Sequence, residues 1–332
     1  MIRIAFAGFR HSHILCLYED ALASDGIEVV GAFEEDAATR EVMASNHGVK
    51  FTYDSYEALL LDPLVDAVAI GDYYAIRGER AIRALEAGKH VITDKPLCTS
   101  REECERIRAL AAERGLTVYM MLTLRFHPSI ATAKRLLDAG EIGEVRAISF
   151  DGQHPLNYGT RPAWYFEEGK HGGTINDIAI HGIDAVRYMT GKRIAAVPFA
   201  RTWNAFAAEE PDFCDSAVFA CELAGGGMLT ADVSYSAPNG LAFALPTYWS
   251  FRVWGESGML LFGVNLDSVK LYRKDAAQPC EIAYDGEEPS LIEDFIRYVE
   301  EGRVGIVTTE DVLLSTEDTL LIQGCADAEK TK

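Results

Sequence analysis

IRIAFAGFRHSHILCLYEDALASDGIEVVGAF, residues 2–33, opens the chain and decides how it folds. IRIAFAG is an apolar run of strand length, HILCLYEDALAS carries its apolar residues at helical spacing, Gly26 marks a turn, and IEVVGAF is a second apolar run. Strands buried on both faces read as continuous Val, Ile and Ala runs, each followed by a helix, and imply a parallel sheet covered on both sides. The alternation continues through DAATREVMASNHG (a helix closed by Gly48), a short strand at VKFT, a helix at SYEALLL and a strand at DAVAI. A helix at RGERAIRALEAG, a strand at KHVIT, a helix at REECERIRALAAERG and a strand at LTVYMML complete it. Right-handed crossovers place every strand's C-terminal end along one edge, where ligands bind.

The chain has 332 residues, which suggests two domains. With 48% hydrophobic and 25% charged residues it reads as globular. A net charge of -20 argues against general binding to nucleic acid or an anionic membrane. It leaves room for an anionic cofactor, since a helix terminus supplies local positive potential. Seven cysteines form no CxxC, the pattern of free thiols in a reducing compartment. MIRIAFAG lacks the form of a secretory signal, and no run of 18 apolar residues occurs, so the cytoplasm is the expected location and no membrane partner is expected.

After about residue 123 the texture changes. The helix SIATAKRLLDAG, the strand EVRAISF and the helix HGGTINDIAIHGIDAVRYMTG lead into successive strands at IAAVPFARTW, SAVFACEL, GGMLTADVSYS, YWSFRVWGE, GMLLFG and SVKLYR. Helices return in SLIEDFIRYVEEG and TTEDVLLSTEDTLLIQGCADAEK. The expected architecture is a Rossmann-type doubly wound α/β domain over 1–123 and an α+β domain with a mainly antiparallel open sheet over 124–332. The last helix is expected to pack back on the first domain. LAFALPTYWSFRVWG gives the open sheet an apolar face to cover, so self-association is expected.

Gly8 ends the first strand, and FRHSH follows. A dinucleotide fingerprint needs glycines two and five positions later, to let backbone approach the pyrophosphate and helix pack on strand; Arg10 and His13 stand there instead. Phe9, Arg10, Ser12 and His13 are the candidate cofactor residues of this turn, Arg10 by charge and Ser12 as a donor; the alternative is a degenerate turn that binds nothing. Glu34, in VVGAFEED, is positioned to accept the ribose hydroxyls and to repel a 2′-phosphate, which favours NAD(H) over NADP(H). His11 and His13, with His154 and His171, invite a metal, but nothing else has ligand spacing and none is expected.

Lys95, in TDKP, follows an apolar strand at the ligand-binding edge, where its ammonium can hydrogen-bond a hydroxyl and polarise a developing carbonyl. In GGTINDIAIH, Asp177 and His181 stand four residues apart on one helical face. His181 is suited to general-base work and Asp177 to orienting it. Lys95 and this pair can share a cleft only if two units cooperate. Trp164 and His154 read as aromatic loop residues lining a carbohydrate-sized substrate.

These residues resemble the Gfo/Idh/MocA family of oxidoreductases (glucose–fructose oxidoreductase, inositol dehydrogenase and their relatives) over nearly the whole chain. ALEAGKHVITDKPL is similar to the family's segment ending in Glu-Lys-Pro, with Asp94 for the Glu. RFHPSIATAKRLLDAGEIGEVRAI resembles its linking helix and following strand, and RPAWYFEEGKHGGTINDIAIHGIDAVRYMTG its Gly-Gly…Asp-x-x-x-His signature. The resemblance implies NAD or NADP chemistry on a hydroxyl of a sugar, inositol or related compound. It implies Lys95, Asp177 and His181 as catalytic residues. Gly71, Asp72, Tyr73, Asp94 and Lys95 are the further candidates beside the cofactor, and Arg125, His154 and Trp164 join the catalytic three as candidates around the substrate. His181 would take the hydroxyl proton, Lys95 would steady the oxygen, and hydride would pass to nicotinamide. Dimers or tetramers through the open sheet are implied as well. The chain departs from the family pattern where Gly71, Asp72 and Tyr73 replace Thr-Pro-Asn, where Arg77 replaces a histidine, and in the turn after Gly8. Those departures keep open a non-catalytic regulator that binds a sugar or nucleotide, and a lyase or hydrolase using transient oxidation.

Overall fold

Strands and helices alternate through the first part of the chain in the computed structural model, which describes residues 1–285, 290–302 and 305–330. They are β1 (Ile2–Ala7), α1 (His13–Ala23), β2 (Ile27–Phe33), α2 (Ala37–His47), α3 (Tyr56–Leu61), β3 (Ala67–Ile70), α4 (Tyr74–Glu86), β4 (His90–Thr93), α5 (Arg101–Arg114) and β5 (Val118–Met120). Then come α6 (Pro128–Asp138), β6 (Val145–Pro155), α7 (Ile180–Thr190), β7 (Ile194–Trp203), β8 (Ser216–Leu223), β9 (Met228–Ala237), β10 (Ser250–Gly255), β11 (Gly258–Gly263), β12 (Ser268–Arg273), β13 (Cys280–Ala283), α8 (Leu291–Glu301) and α9 (Thr309–Lys330). The chain divides into two compact units. One comprises Met1–Leu122, Pro162–Gly172 and Pro289–Glu317; the other Thr123–Arg161, Gly173–Glu288 and Asp318–Lys332. Thr331 and Lys332, the end of the expected second domain, lie outside the described residues.

The first unit is built on a parallel sheet of order β2-β1-β3-β4-β5. Burial explains the uninterrupted apolar runs: Ile4, Ala5, Phe6, Ala7 and all of β3 are inaccessible to solvent. Side-chain caps start the helices where short polar residues stand, with Asp36 accepting from the Thr39 N–H, Ser55 from Ala58 and Ser100 from Glu103. The order reverses between β1 and β3, the switch point at which such sheets bind ligands. There Gly8, at φ +86°, and Gly71 permit close approach: a Cβ on Gly8 would stand 2.7 Å from the Asp72 Cβ, and one on Gly71 2.3 Å from the Ile14 Cβ. The expected strand at VKFT does not form. Phe51 makes one isolated bridge to Ala32, and the next two residues both donate to the Ala32 carbonyl, so the segment turns instead of pairing along β2.

The second unit carries a mixed, mostly antiparallel sheet of order β13-β12-β11-β10-β6-β9-β8-β7, in which only the β6–β9 pair, of those described, is parallel. The whole is thus α/β plus α+β. Alternation is clean on β10: Phe251 and Val253 are buried, Arg252 and Trp254 face outward. β6 runs past the expected EVRAISF through His154, because its parallel partner β9 continues the ladder to Ala237. His154 is therefore a strand residue, and the expectation of a loop is corrected. β13, short and polar, has no apolar run to announce it. The seven cysteines are free thiols. No described helix is long and apolar enough to cross a membrane.

Candidate functional site

In the first unit, the turn after β1 and the segment after β4 meet at the C-terminal edge of the sheet. Asp94, immediately past β4, is fully buried and accepts on both oxygens. Oδ2 takes His11 Nδ1 in a short contact and Arg77 Nη2 at 3.2 Å. Oδ1 takes the backbone N–H of Lys95 at 2.7 Å. Arg77, itself inaccessible, donates to the Asp72, Lys95 and Pro96 carbonyls at 2.7, 2.5 and 3.3 Å. The peptide groups flanking Lys95 are thus held by two opposite charges. The Lys95 ammonium lies 5.7 Å from the centre of the Tyr74 ring, and the residue is 6% exposed.

Burial pushes the His11 imidazole down to about 3, against the pull of Asp94, so the ring is neutral at ordinary pH. Burial alone would raise the Asp94 carboxyl, but His11 and Arg77 outweigh it and hold it well below its usual range. His11 Nε2 lies 3.1 Å from the hydroxyls of both Tyr165 and Tyr74, and those hydroxyls are 2.7 Å apart. Trp164 packs on both tyrosines and donates its indole N–H to the Arg10 carbonyl at 3.0 Å. Its expected loop is a short 3₁₀ turn, Ala163–Tyr165, and it is a buried part of this wall.

The other turn residues are placed as follows. Phe9 is buried among Phe6, Tyr18 and Phe51, and its N–H donates to Glu34 at 2.6 Å. Glu34 is inaccessible and also takes the Asp36 N–H at 2.8 Å, so it braces the turn from within. A carboxylate shielded by burial is worth most where it satisfies backbone donors. Glu35, 47% exposed on its side chain, is the carboxylate left at the surface. It lines a hollow of about 410 Å³ with Phe33, Arg40, Tyr56 and Arg80. Arg10 is held by Glu34 at 3.4 Å, Glu35 at 2.5 Å and Asp72 at 3.3 Å, and lies over the Tyr73 ring. Asp72 also pairs with Arg80 at 2.6 Å. Ser12 precedes α1 without a side-chain cap bond, and His13 stands exposed at that helix's start.

His11, His13 and Asp94 offer three ligand atoms within 4.8 Å of one another, the one such group among the described residues. Asp94 is already neutralised by Arg77 and bonded to His11, so we assign no metal to it. A dinucleotide fits better: the start of α1 presents a positive helix end, and the Glu35 hollow lies past β2.

In the second unit, Gly173–Ile180 does not enter a regular α-helix as expected; Ile175–Ala179 forms a π turn before α7. Gln323 of α9 explains the entry, since its Oε1 accepts the Ile175 N–H at 3.1 Å and would meet a Cβ on Gly173 at 2.3 Å. Asp177 is 2% exposed and accepts the Tyr235 hydroxyl in a short hydrogen bond. His181 is half-buried, its ring 6.0 Å from Trp249, which also packs on His154 at 5.3 Å. Arg125 is 2% exposed and makes a two-point ion pair with Asp184 at 2.8 and 2.7 Å. The pair ties the segment before α6 to α7. Tyr74, Tyr165 and Tyr235 escaped the sequence reading, while His11 was weighed there only as a metal ligand and Arg77 only as a departure from the family pattern.

Residues 2–122 match the model of the oxidoreductase family with an NAD-binding Rossmann fold, and 130–261 match the GFO/IDH/MocA C-terminal domain. The scyllo-inositol 2-dehydrogenase (NAD(+)) of Bacillus subtilis is 29% identical over 285 residues, 83% of this chain and 80% of that one. Among solved structures, an NAD-binding protein from Listeria innocua superposes with a TM-score of 0.79 at 25% identity, covering 99% of this chain and 95% of that one. Levoglucosan dehydrogenase in complex with NADH shares the fold at 20% identity, with a TM-score of 0.80 over 99% and 97% of the two chains. The chain belongs to the Gfo/Idh/MocA oxidoreductase family.

Proposed function

We propose that this protein is an NAD(H)-dependent dehydrogenase that moves hydride between the nicotinamide and a hydroxyl or ketone of a sugar, cyclitol or related polyol. The observation that carries the reading is Lys95. Its N–H and carbonyl are fixed by buried Asp94 and Arg77 at the end of a parallel strand, a costly arrangement for a side chain with no task. The bound nicotinamide would supply the hydride acceptor or donor. His181 takes the hydroxyl proton, Asp177 holds it in register, and Lys95 stabilises charge on the reacting oxygen. His154, half-buried on β6, offers an aromatic edge to a polyol, with buried Trp249 packed behind it. Residues 1–123 hold the dinucleotide, and 124–332 the substrate and the self-association face. Gly8, Ser12, His13, Gly71 and Tyr73 line the dinucleotide bed, and Glu35 takes over the ribose contact expected of Glu34. The relative active with NAD(+) supports the cofactor choice. Exposed Trp254, Met228 and Trp203 on the sheet support a homodimer or homotetramer.

The test supplies NAD+ and a panel of cyclitols, sugars and polyols and follows reduced cofactor at 340 nm. A signal abolished by His181→Ala in folded protein supports the enzyme. Saturable sugar binding without any redox change supports a second reading, a ligand-binding regulator. One observation favours that reading: Arg10, where the pyrophosphate approaches, is already engaged by three carboxylates.

A further inference from the structure

We infer that His11 is a positioning residue for Lys95, holding the Lys95 backbone through Asp94 and the surface beneath its ammonium through Tyr74. The inference rests on the reading of Lys95 as the group that meets the substrate oxygen.

The hydrogen-bond directions follow from the charges. An ionised carboxylate only accepts, so the contact between His11 and Asp94 needs the imidazole proton on Nδ1. A neutral ring then has a bare Nε2, which only accepts. The donor must be a tyrosine hydroxyl, and two stand at 3.1 Å. One tyrosine donates to Nε2 and the other donates to that tyrosine across 2.7 Å. The chain from carboxylate to phenol is therefore directional, with one tautomer throughout.

Each end of the chain reaches Lys95. At one end Asp94 takes His11 and Arg77 on Oδ2 and leaves Oδ1 for the Lys95 N–H. At the other, the Tyr74 hydroxyl is pinned to His11 and Tyr165. Its ring lies beside two cations, with the Arg77 guanidinium 4.7 Å from the centroid and the Lys95 ammonium 5.7 Å away. The groups around His11 come from four segments: Asp94 after β4, Tyr74 and Arg77 on α4, His13 at the start of α1, and Tyr165 with His171 on the 162–172 segment. All are buried except His13. Removing the imidazole would leave Asp94 with one fewer donor and Tyr74 with one fewer anchor, and both act on Lys95.

The experiment reads Lys95 without turnover. The full chain, free of nucleotide, is exposed to a trace of an amine-acylating reagent at pH 8, and modification at Lys95 and at the exposed Lys50 is quantified by mass spectrometry. His11→Asn keeps a donor where Nδ1 stands, His11→Gln keeps a polar group where Nε2 stands, and His11→Phe keeps neither. Thermal unfolding establishes that each variant is folded. The expected result is that Lys95 in the Phe variant reacts about tenfold faster, the scale of one lost hydrogen bond of about 1.4 kcal/mol. The Asn variant should stay near the parent, since the Asp94 route carries most of the hold, with Lys50 unchanged in all. Should the Phe variant not fold, Gln against Asn and Tyr165→Phe decide. Lys95 reacting at the parental rate in every folded variant, or rising in step with Lys50, overturns the inference. Labelling that shifts in a protein that never oxidises a polyol sinks the dehydrogenase reading and leaves the positioning role. Turnover with unshifted labelling does the reverse.

Discussion

Mild acid should destabilise this protein well above the range in which carboxylates titrate, and His11 sets the size of the effect. Its imidazole is pushed by burial from an ordinary 6.5 to about 3. The unfolded chain therefore binds the proton first, and protonation favours unfolding. The sign is that of a depressed group: the contribution is complete above pH 6.5 and drains away as pH falls toward the folded value. Each unit of pH in that window costs up to about 1.4 kcal/mol, so the loss between pH 8 and pH 5 is about 2 kcal/mol from this one side chain. Asp94 acts in the same direction but lower, since its carboxyl is held well below 3.8. The assay is urea unfolding of parent and His11→Phe at pH 8, 6.5, 5.5 and 5. Phe fills the site without titrating, and His90, also lowered by burial, is present in both and cancels. The variant starts less stable, but its curve should be flatter by about 2 kcal/mol over that range. Parallel curves would refute the neutral, buried imidazole.

Lys95→Ala should lower kcat by about a hundredfold or more while the dissociation constant for NAD(H), measured by calorimetry, moves severalfold at most, because the lysine's contact strengthens as charge develops. Glu35→Gln should narrow the preference for NAD+ over NADP+ in the same calorimeter, whereas Glu34→Gln should lower the unfolding midpoint, and the opposite pattern would return the ribose contact to Glu34. Gly173→Ala should cost about 2 kcal/mol in thermal unfolding, since φ is +97° and the new Cβ displaces Gln323 from the Ile175 N–H. Arg125→Ala should cost about 3–5 kcal/mol by removing the cation that faces buried Asp184, and the double replacement Arg125→Met with Asp184→Leu should recover most of it.

The architecture was legible because its signals are local. Continuous apolar strands, capped helices and the shift to successive strands after residue 123 each declare themselves within a dozen residues. VKFT failed because four residues of strand composition say nothing about whether a neighbour will pair with them. Lys95 was singled out from a strand end followed by proline, and Asp177 with His181 from a four-residue spacing that the π turn at Ile175–Ala179 alters. Two adjacent carboxylates follow β2, and only the fold decides that Glu34 turns in to accept backbone donors. Tyr165 lies 154 residues from His11, and Tyr235 lies 58 from Asp177; contacts made by single hydroxyls at that separation leave no periodicity to read.

The places where this chain departs from its family are in contact with one another. Arg10 reaches Asp72 and lies over Tyr73, Arg77 bonds the Asp72 carbonyl and the Asp94 carboxylate, and Asp94 takes His11. Residues that share partners this closely are not additive. A family-like glycine at position 10 would strip a cation from Glu34, Glu35 and Asp72 together, and a longer carboxylate at position 94 would enter a space already filled by His11 and Arg77. Replacements within the set are thus coupled, and an engineer grafting a glycine-rich bed onto this chain must move the turn after β1, the segment after β3 and the residue before Lys95 as one piece.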